Sequence, residues 1–150
     1  MASGTTDRGK YQLLKYSFDA TTVPSTYYLA LFTSATSPTK ATNTMSQLTE
    51  IGAGNGYTSG GSSLTADTNF TVTEVDGTVG AKVVVDNVTW TASGGNIPAS
   101  GDGARWAALM DGNTSSSNII AYFDLSSDRT VSDTQTLTIQ ACEIDLNEPS

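Results

Sequence analysis

The strongest constraint on the fold of this chain is the alternation of apolar and polar residues in short segments. In residues 119–125, apolar side chains occupy every second position: Ile119, Ala121, Phe123 and Leu125. Successive side chains of a strand point to opposite faces, so this pattern predicts a strand with one buried face. Similar segments occur throughout the chain from residue 69 onward, and turn residues such as Asp76-Gly77 separate them. The chain has 24 threonines and 18 serines, and threonine is β-branched and suits solvent-facing strand positions, so composition and spacing predict an all-β antiparallel sandwich.

One segment near the N terminus has helical spacing instead. Tyr11, Leu14 and Phe18 fall at positions that share one face of a helix. Asp7 stands where an N-cap residue is expected. We therefore predict one short N-terminal helix within residues 10–18.

The length and composition indicate one folded domain. A chain of 150 residues with 37% hydrophobic residues can bury one core without disulfides. Residues 1–9 are small and polar, so we predict a polar N-terminal arm at 1–9 and a single sandwich domain at 10–150. No apolar run approaches the roughly 18 residues of a membrane-spanning helix.

The first strand and the loop after it differ from the later hairpins. Residues 27–32 are apolar at consecutive positions, which predicts a central strand covered on both faces. The following segment, 33–61, is rich in Ser, Thr, Gly and Asn, and loops of this length are usually functional. We expect Met45, Leu48 and Ile51 to anchor a short turn of this loop against the core.

The last strand changes phase along its length. Leu137 and Ile139 are apolar at odd positions, whereas Ile144 and Leu146 are apolar at even positions. Because side chains alternate strictly along a strand, we predict a β-bulge near Ala141-Cys142.

Charge and residue inventory limit the possible chemistry. The chain has 7 Lys and Arg against 15 Asp and Glu, a net charge of −8, so we expect no binding to nucleic acid or membrane. It has no histidine and one cysteine, which excludes His-dependent triads, imidazole ligands and Cys-based zinc sites. A carboxylate pair of the glycosidase kind stays open as an alternative. We predict no enzymatic activity, no cofactor and no metal site, and a buried, unreactive thiol at Cys142.

Two short motifs and a set of aromatic residues have functional and structural interpretations. The glycine-rich segment 52–56 resembles a nucleotide-binding loop but lacks the strand and helix that such a loop joins. Glu74 begins an acidic turn that lacks the rest of a calcium-binding loop. Four aromatic residues form either a carbohydrate-binding surface or, more commonly, core or interface packing: Tyr57, Trp90, Trp106 and Tyr122.

The order of segments along the chain carries a family resemblance. A helix with Leu13-Leu14 is followed by an aromatic-led strand, a polar loop with Glu and Gly before Tyr57, and Thr-rich C-terminal strands. The segments are 12–18, 23–33, 50–57, 106–111, 119–125 and 134–146. This order resembles a family of small virion structural proteins of tailed bacteriophages, which implies a jelly-roll-like sandwich without catalytic activity. The chain departs from the family at Thr58-Ser59-Gly60, where members often carry a basic residue.

The resemblance implies a capsid cement or decoration protein that binds and stabilises the head shell. Its partners would be the major capsid protein or other virion proteins. It would be made in the cytoplasm of the bacterial host and reside in the virion. The alternatives are a tail- or fibre-associated component and a carbohydrate-binding module for host recognition.

We also expect a homo-oligomer, a dimer or trimer. Three of the seven basic residues lie in the first fifteen positions, whereas Glu143, Asp145 and Glu148 lie near the C terminus. Opposed charges of this kind can pair between chains or against an oppositely charged shell, and the alternative is that both ends are solvated and frayed. The candidate interface residues are Arg8, Lys10, Lys15 and Tyr57.

Overall fold

A computed structural model describes residues 3–75 and 80–146, and it confirms an antiparallel β-sandwich with one helix. The elements are β1 (Gly4–Thr5), α1 (Asp7–Phe18), β2 (Thr26–Phe32), a 3₁₀ turn (Met45–Gln47), β3 (Ser62–Thr65), β4 (Phe70–Val75), β5 (Gly80–Val85), β6 (Val88–Thr91), β7 (Ala104–Met110), β8 (Ile119–Arg129), β9 (Thr136–Ile139) and β10 (Cys142–Leu146). The predicted turn at Asp76-Gly77 lies outside the described residues.

The first layer is a five-stranded sheet in the order β1-β8-β7-β2-β3. In β2, Leu29 and Leu31 belong to the core between the layers, whereas Ala30 and Phe32 belong to a second core on the outer face of the sheet. The prediction of a strand covered on both faces is confirmed. This strand positions both cores because its side chains alternate between them.

The second layer contains the sheet β10-β5-β4 and the pair β6-β9. Val85 lies opposite Cys142, and Val88 lies opposite Ile139, so the pairing keeps one register across a gap of two residues on each strand. Ala141, in the gap, has a φ of +58°. The predicted bulge is therefore wrong: both strands are interrupted by equal numbers of residues, and both change phase there.

The loop after β2 packs on the outer face of the five-stranded sheet. Met45 and Leu48 are buried in the outer core together with Trp106. Ile51 is buried in the core between the layers. The predicted anchors are confirmed, and the part of the loop that carries Met45 and Leu48 covers the outer face of the sheet.

A β-bulge in β8 fixes the start of the helix. Leu109 lies opposite Ala121 and Met110 lies opposite Ile119, so Ile120 is the extra residue on β8. The carbonyl oxygen of Ile120 accepts a hydrogen bond from the backbone N–H of Thr6 at 3.1 Å. The hydroxyl of the same threonine donates to the carbonyl oxygen of Ile119. The bulge thus presents two neighbouring carbonyl groups to one residue.

The N-cap of α1 is Thr6, and Asp7 is the first helical residue, which corrects the predicted N-cap. The Thr6 side chain accepts a hydrogen bond from the N–H of Gly9 at 2.8 Å. Ahead of the cap, Gly4–Thr5 form β1 and pair with β8. The predicted boundary between an arm and a domain, at residues 9 and 10, therefore falls inside the helix, and residues 4–9 belong to the fold.

Candidate functional site

The helix presents its apolar residues to solvent. Tyr11, Leu14 and Phe18 are 51%, 60% and 84% exposed. A surface helix of a globular protein normally turns its apolar stripe toward the core. In this chain the stripe predicted from the sequence exists, but it points away from the sandwich. We call these three residues the apolar stripe.

The opposite side of α1 holds the helix to the sandwich. Gly9 lies so close to β8 that a Cβ atom on it would be 2.1 Å from the carbonyl oxygen of Ile120. One turn further along, Leu13 faces the second layer. Tyr16 donates a hydrogen bond from its hydroxyl to Asp111 Oδ2 at 3.3 Å. Burial, and secondarily the charge of Asp111, raises the pKa of Tyr16 to about 12. These contacts fix the rotation of the helix and so direct the stripe outward.

The three predicted basic interface residues surround the apolar stripe. The Arg8 guanidinium lies 5.8 Å and the Lys15 ammonium 5.6 Å from the ring centre of Tyr11, within cation–π range. Lys10 is exposed on the same helix. Lys15 also pairs with Asp19 at 3.8 Å, an exposed contact that contributes little stability. The helix surface is therefore both apolar and cationic.

An open groove of about 320 Å³ lies between α1 and the sheet β10-β5-β4. Val72 pairs with Val83, which pairs with Ile144, so the three side chains share the inner face of this sheet. Ile144 is buried, but Val72 is 76% exposed and Leu146 is 54% exposed. The inner face is thus exposed at the edge strand β4 and at the end of β10. We call this space the apolar groove; its lining also includes Leu13, Tyr27, Phe70, Leu109 and Ile120.

Among the described residues, two charged ones line the groove, Asp67 and Lys82. Lys82 is already paired with Glu143, at 3.0 Å. Glu74 lies two residues beyond Val72 and shares its strand face. The lining of the groove is therefore mostly apolar, and the carboxylates of Asp67 and Glu74 lie near opposite ends of β4.

Tyr57, the fourth predicted interface residue, is not at the surface. Its side chain is buried in the core between the layers. Its hydroxyl donates to Glu50 at 2.8 Å and accepts the N–H of Leu31 at 2.9 Å. Glu50 also accepts hydrogen bonds from Ser59 and from the N–H of Gly60. Burial raises the pKa of Tyr57. Tyr57 holds the loop to β2 and is unavailable to a partner, which corrects the prediction.

The glycine-rich segment 52–56 passes very close to a neighbouring backbone segment, and this close approach allows Tyr57 to be buried. A Cβ atom on Gly56 would lie 2.2 Å from the carbonyl oxygen of Thr91, and Gly56 has a φ of +103°. Gly54 and Tyr57 exchange two backbone hydrogen bonds across a tight turn. Packing of the loop accounts for the glycines without a nucleotide.

The other aromatic residues considered for carbohydrate binding are buried as well. Trp90 lies in the core between the layers, tilted against Tyr57 with ring centres 5.6 Å apart. Trp106 and Tyr122 pack edge to face in the outer core. Within the described part of the chain, the indole N–H of Trp106 has no hydrogen-bond acceptor. These residues do not form an exposed sugar-binding face.

Four further titratable groups, Asp111, Arg105, Asp124 and Cys142, have structural roles. Asp111 accepts hydrogen bonds from the backbone and side chain of Asn118 and so closes the turn between β7 and β8. Arg105 pairs with Asp124 at 2.5 Å. Cys142 is buried, and burial raises the pKa of its thiol to about 11. Among residues 3–75 and 80–146, no three Cys, Asp or Glu side chains gather into a metal-binding cluster.

No helix among the described residues is both long enough and apolar enough to span a membrane. A scan against protein-family models finds no matching family, and searches of curated proteins and of solved structures find no significant match.

Proposed function

We propose that this chain is a non-catalytic assembly protein of a tailed-bacteriophage particle, specifically a cement or decoration protein of the capsid. The virion assignment rests on the order of sequence segments that resembles the phage family. The observation that supports an assembly role is the concentration of exposed apolar side chains on α1 and at the apolar groove.

Such a concentration favours contact with another protein over catalysis. Contiguous exposed apolar patches on soluble proteins mark interaction sites, because leaving them in water is unfavourable. Aromatic residues and arginine are enriched in protein interfaces, and the stripe combines Tyr11 and Phe18 with Arg8. The alternative of a carbohydrate-binding module depended in part on four aromatic residues, and all four are buried.

A cement protein acts through linkage between binding and stability. A protein that binds the intact shell and not its dissociated subunits stabilises the shell, by about 2.7 kcal/mol per site at a free concentration 100 times Kd. No chemical step is needed. Stabilisation requires only that the contact forms in the intact shell and is lost when the shell is disrupted.

The test compares particles that carry the protein with particles that lack it. Heating both, with DNA release as the readout, should give a higher disruption temperature for the first. Adding the purified chain back should restore that temperature in a saturable way, and an unrelated acidic protein should not. An unchanged disruption temperature would reject the cement role. Counting copies per particle then separates the head from the tail, because a shell protein is present in hundreds of copies and a tail component in far fewer.

A further inference from the structure

We propose that the apolar groove is occupied by a second copy of this chain, with the apolar stripe of α1 in one subunit docked into the groove of the next. This inference assigns a partner to the surface on which the proposed function rests. The interface is head-to-tail, because the two contacting surfaces are different parts of the chain.

The distribution of exposed apolar side chains supports this pairing. Of the described side chains, the large apolar ones that are mostly exposed are Tyr11, Leu14, Phe18, Val23, Val72 and Leu146. The first three form a convex ridge on α1, and the last two border the concave groove. Among the described residues nothing covers the ridge or the groove, and a convex and a concave apolar surface fit together as one contact.

A chain cannot fill its own groove with its own stripe. Leu13 lines the groove from one side of α1, and Gly9 on that side contacts β8. The stripe projects from the other side of the same helix, which is why Leu14 and Phe18 are exposed. Docking of the stripe into the groove is therefore a contact between molecules.

Charge complementarity favours a copy of this chain as the partner. Arg8 and Lys15 flank the ring of Tyr11 in the stripe. Asp67 lines the groove, and Glu74 shares the strand face of Val72 near the other end of β4, whereas the lining residue Lys82 is already paired with Glu143. Opposite charges beside an apolar contact steer the encounter and set its register. The cationic ridge and the carboxylates beside the groove are both supplied by one sequence.

A head-to-tail contact has a consequence for symmetry. When each subunit gives its stripe to one neighbour and its groove to another, the assembly closes into a ring if the rotation between subunits permits. In such a ring every subunit uses one stripe and one groove.

The experiment uses the purified full-length chain and no particles, so its outcome is separate from that of the cement test. Sedimentation velocity over a range of concentrations should show an oligomer for the wild type. Leu14→Glu in the stripe and Val72→Glu in the groove should each weaken association by about 30-fold or more, as for a central interface residue. Both side chains are mostly exposed, so neither change disturbs the core.

Matched controls lie next to each site. Gln12→Glu adds the same charge to α1 away from the stripe, and Thr71→Glu adds it to β4 on the face opposite Val72. Both controls should associate like the wild type. Circular dichroism melts of all four variants establish that each is folded.

Mixing the two defective variants gives the decisive result. The Leu14→Glu subunit retains a groove and the Val72→Glu subunit retains a stripe, so a mixture should form a 1:1 complex although each variant alone is monomeric. A mixture that stays monomeric would overturn the head-to-tail pairing. A wild type that is monomeric at every concentration would overturn the proposal, as would native mass spectrometry that shows the groove filled by an apolar small molecule.

Discussion

The hydroxyl of Thr6 donates a hydrogen bond to the carbonyl oxygen of Ile119, so the residue that caps α1 also attaches the helix to the sheet. Thr6→Val keeps the shape of the side chain but removes this bond and the cap to Gly9. We expect the free energy of unfolding to fall by about 1–3 kcal/mol, since cap loss alone costs roughly 0.5–2 kcal/mol. Urea denaturation measures the effect. Thr6→Ser keeps the hydroxyl and should be clearly more stable than Thr6→Val; equal stability of the two would contradict the role of the hydroxyl.

Gly9→Ala tests the close approach of α1 to β8. In an ordinary helix this change is favourable, but here the new Cβ atom would lie 2.1 Å from the carbonyl oxygen of Ile120. We expect destabilisation by about 1–3 kcal/mol, the usual cost of overpacking. Gly4→Ala is the control, because its Cβ atom would meet only the Tyr122 hydroxyl, at 3.9 Å. A thermal melt in which Gly9→Ala is as stable as the wild type would show that the helix can shift without cost.

Removal of residues 1–9 should destabilise the domain. A polar arm could be deleted without loss, but Gly4–Thr5 pair with β8 and Thr6 caps the helix. We expect a loss of about 2–4 kcal/mol, the sum of a missing cap and several backbone hydrogen bonds. Chemical denaturation of the truncated chain measures it. An unchanged unfolding midpoint would restore the interpretation of this segment as an arm.

Tyr57→Phe should lower stability without affecting contacts between chains. The change leaves the N–H of Leu31 without its acceptor and removes one donor from Glu50, in a buried setting. The expected cost is about 1–3 kcal/mol. Association measured by sedimentation should equal that of the wild type, since the side chain is buried. A selective loss of association at unchanged stability would mean that Tyr57 acts at an interface after all.

Alkaline pH should weaken the fold through groups whose neutral form the fold favours. The pKa of Cys142 is raised by burial from 9.0 to about 11, and that of Tyr16 from 10.0 to about 12. As the pH rises, the unfolded chain loses these protons at a lower pH than the folded chain does. The contribution of the two groups to the free energy of unfolding is therefore fully present below pH 9 and is lost as the pH rises toward 11 and 12. Unfolding free energies measured from pH 8 to 11 should fall, and Cys142→Ala should flatten the part of the curve that begins at pH 9. An identical pH dependence in the variant would exclude the thiol as a cause.

Sequence periodicity predicted those parts of the fold that depend on one segment at a time. The run around Leu29 and Phe32 is apolar at every position, and the strand is covered on both faces. The prediction failed where two segments determine the result. A phase change in β10 indicated a bulge near Ala141, but the pattern of one strand does not show that its partner is interrupted at the same level.

The candidate site was predicted only in part for a similar reason. Helical spacing identified Tyr11, Leu14 and Phe18 as one face of α1. It could not show which way the face points, because the rotation of the helix is set by Gly9 and by the bulge in β8. The burial of Tyr57 had one sequence signal, an acidic residue and several glycines just before it, which suit a loop that folds back over a sheet.

The Tyr57 hydroxyl also protects the protein from adding strands to itself. Beyond the end of β3, the edge of β2 would present free backbone groups, and such an edge is a template for aggregation. Here the N–H of Leu31 is bonded to Tyr57 and its carbonyl oxygen accepts the N–H of Ile51. Many copies can then be crowded together without β2 of one molecule recruiting a strand from the next.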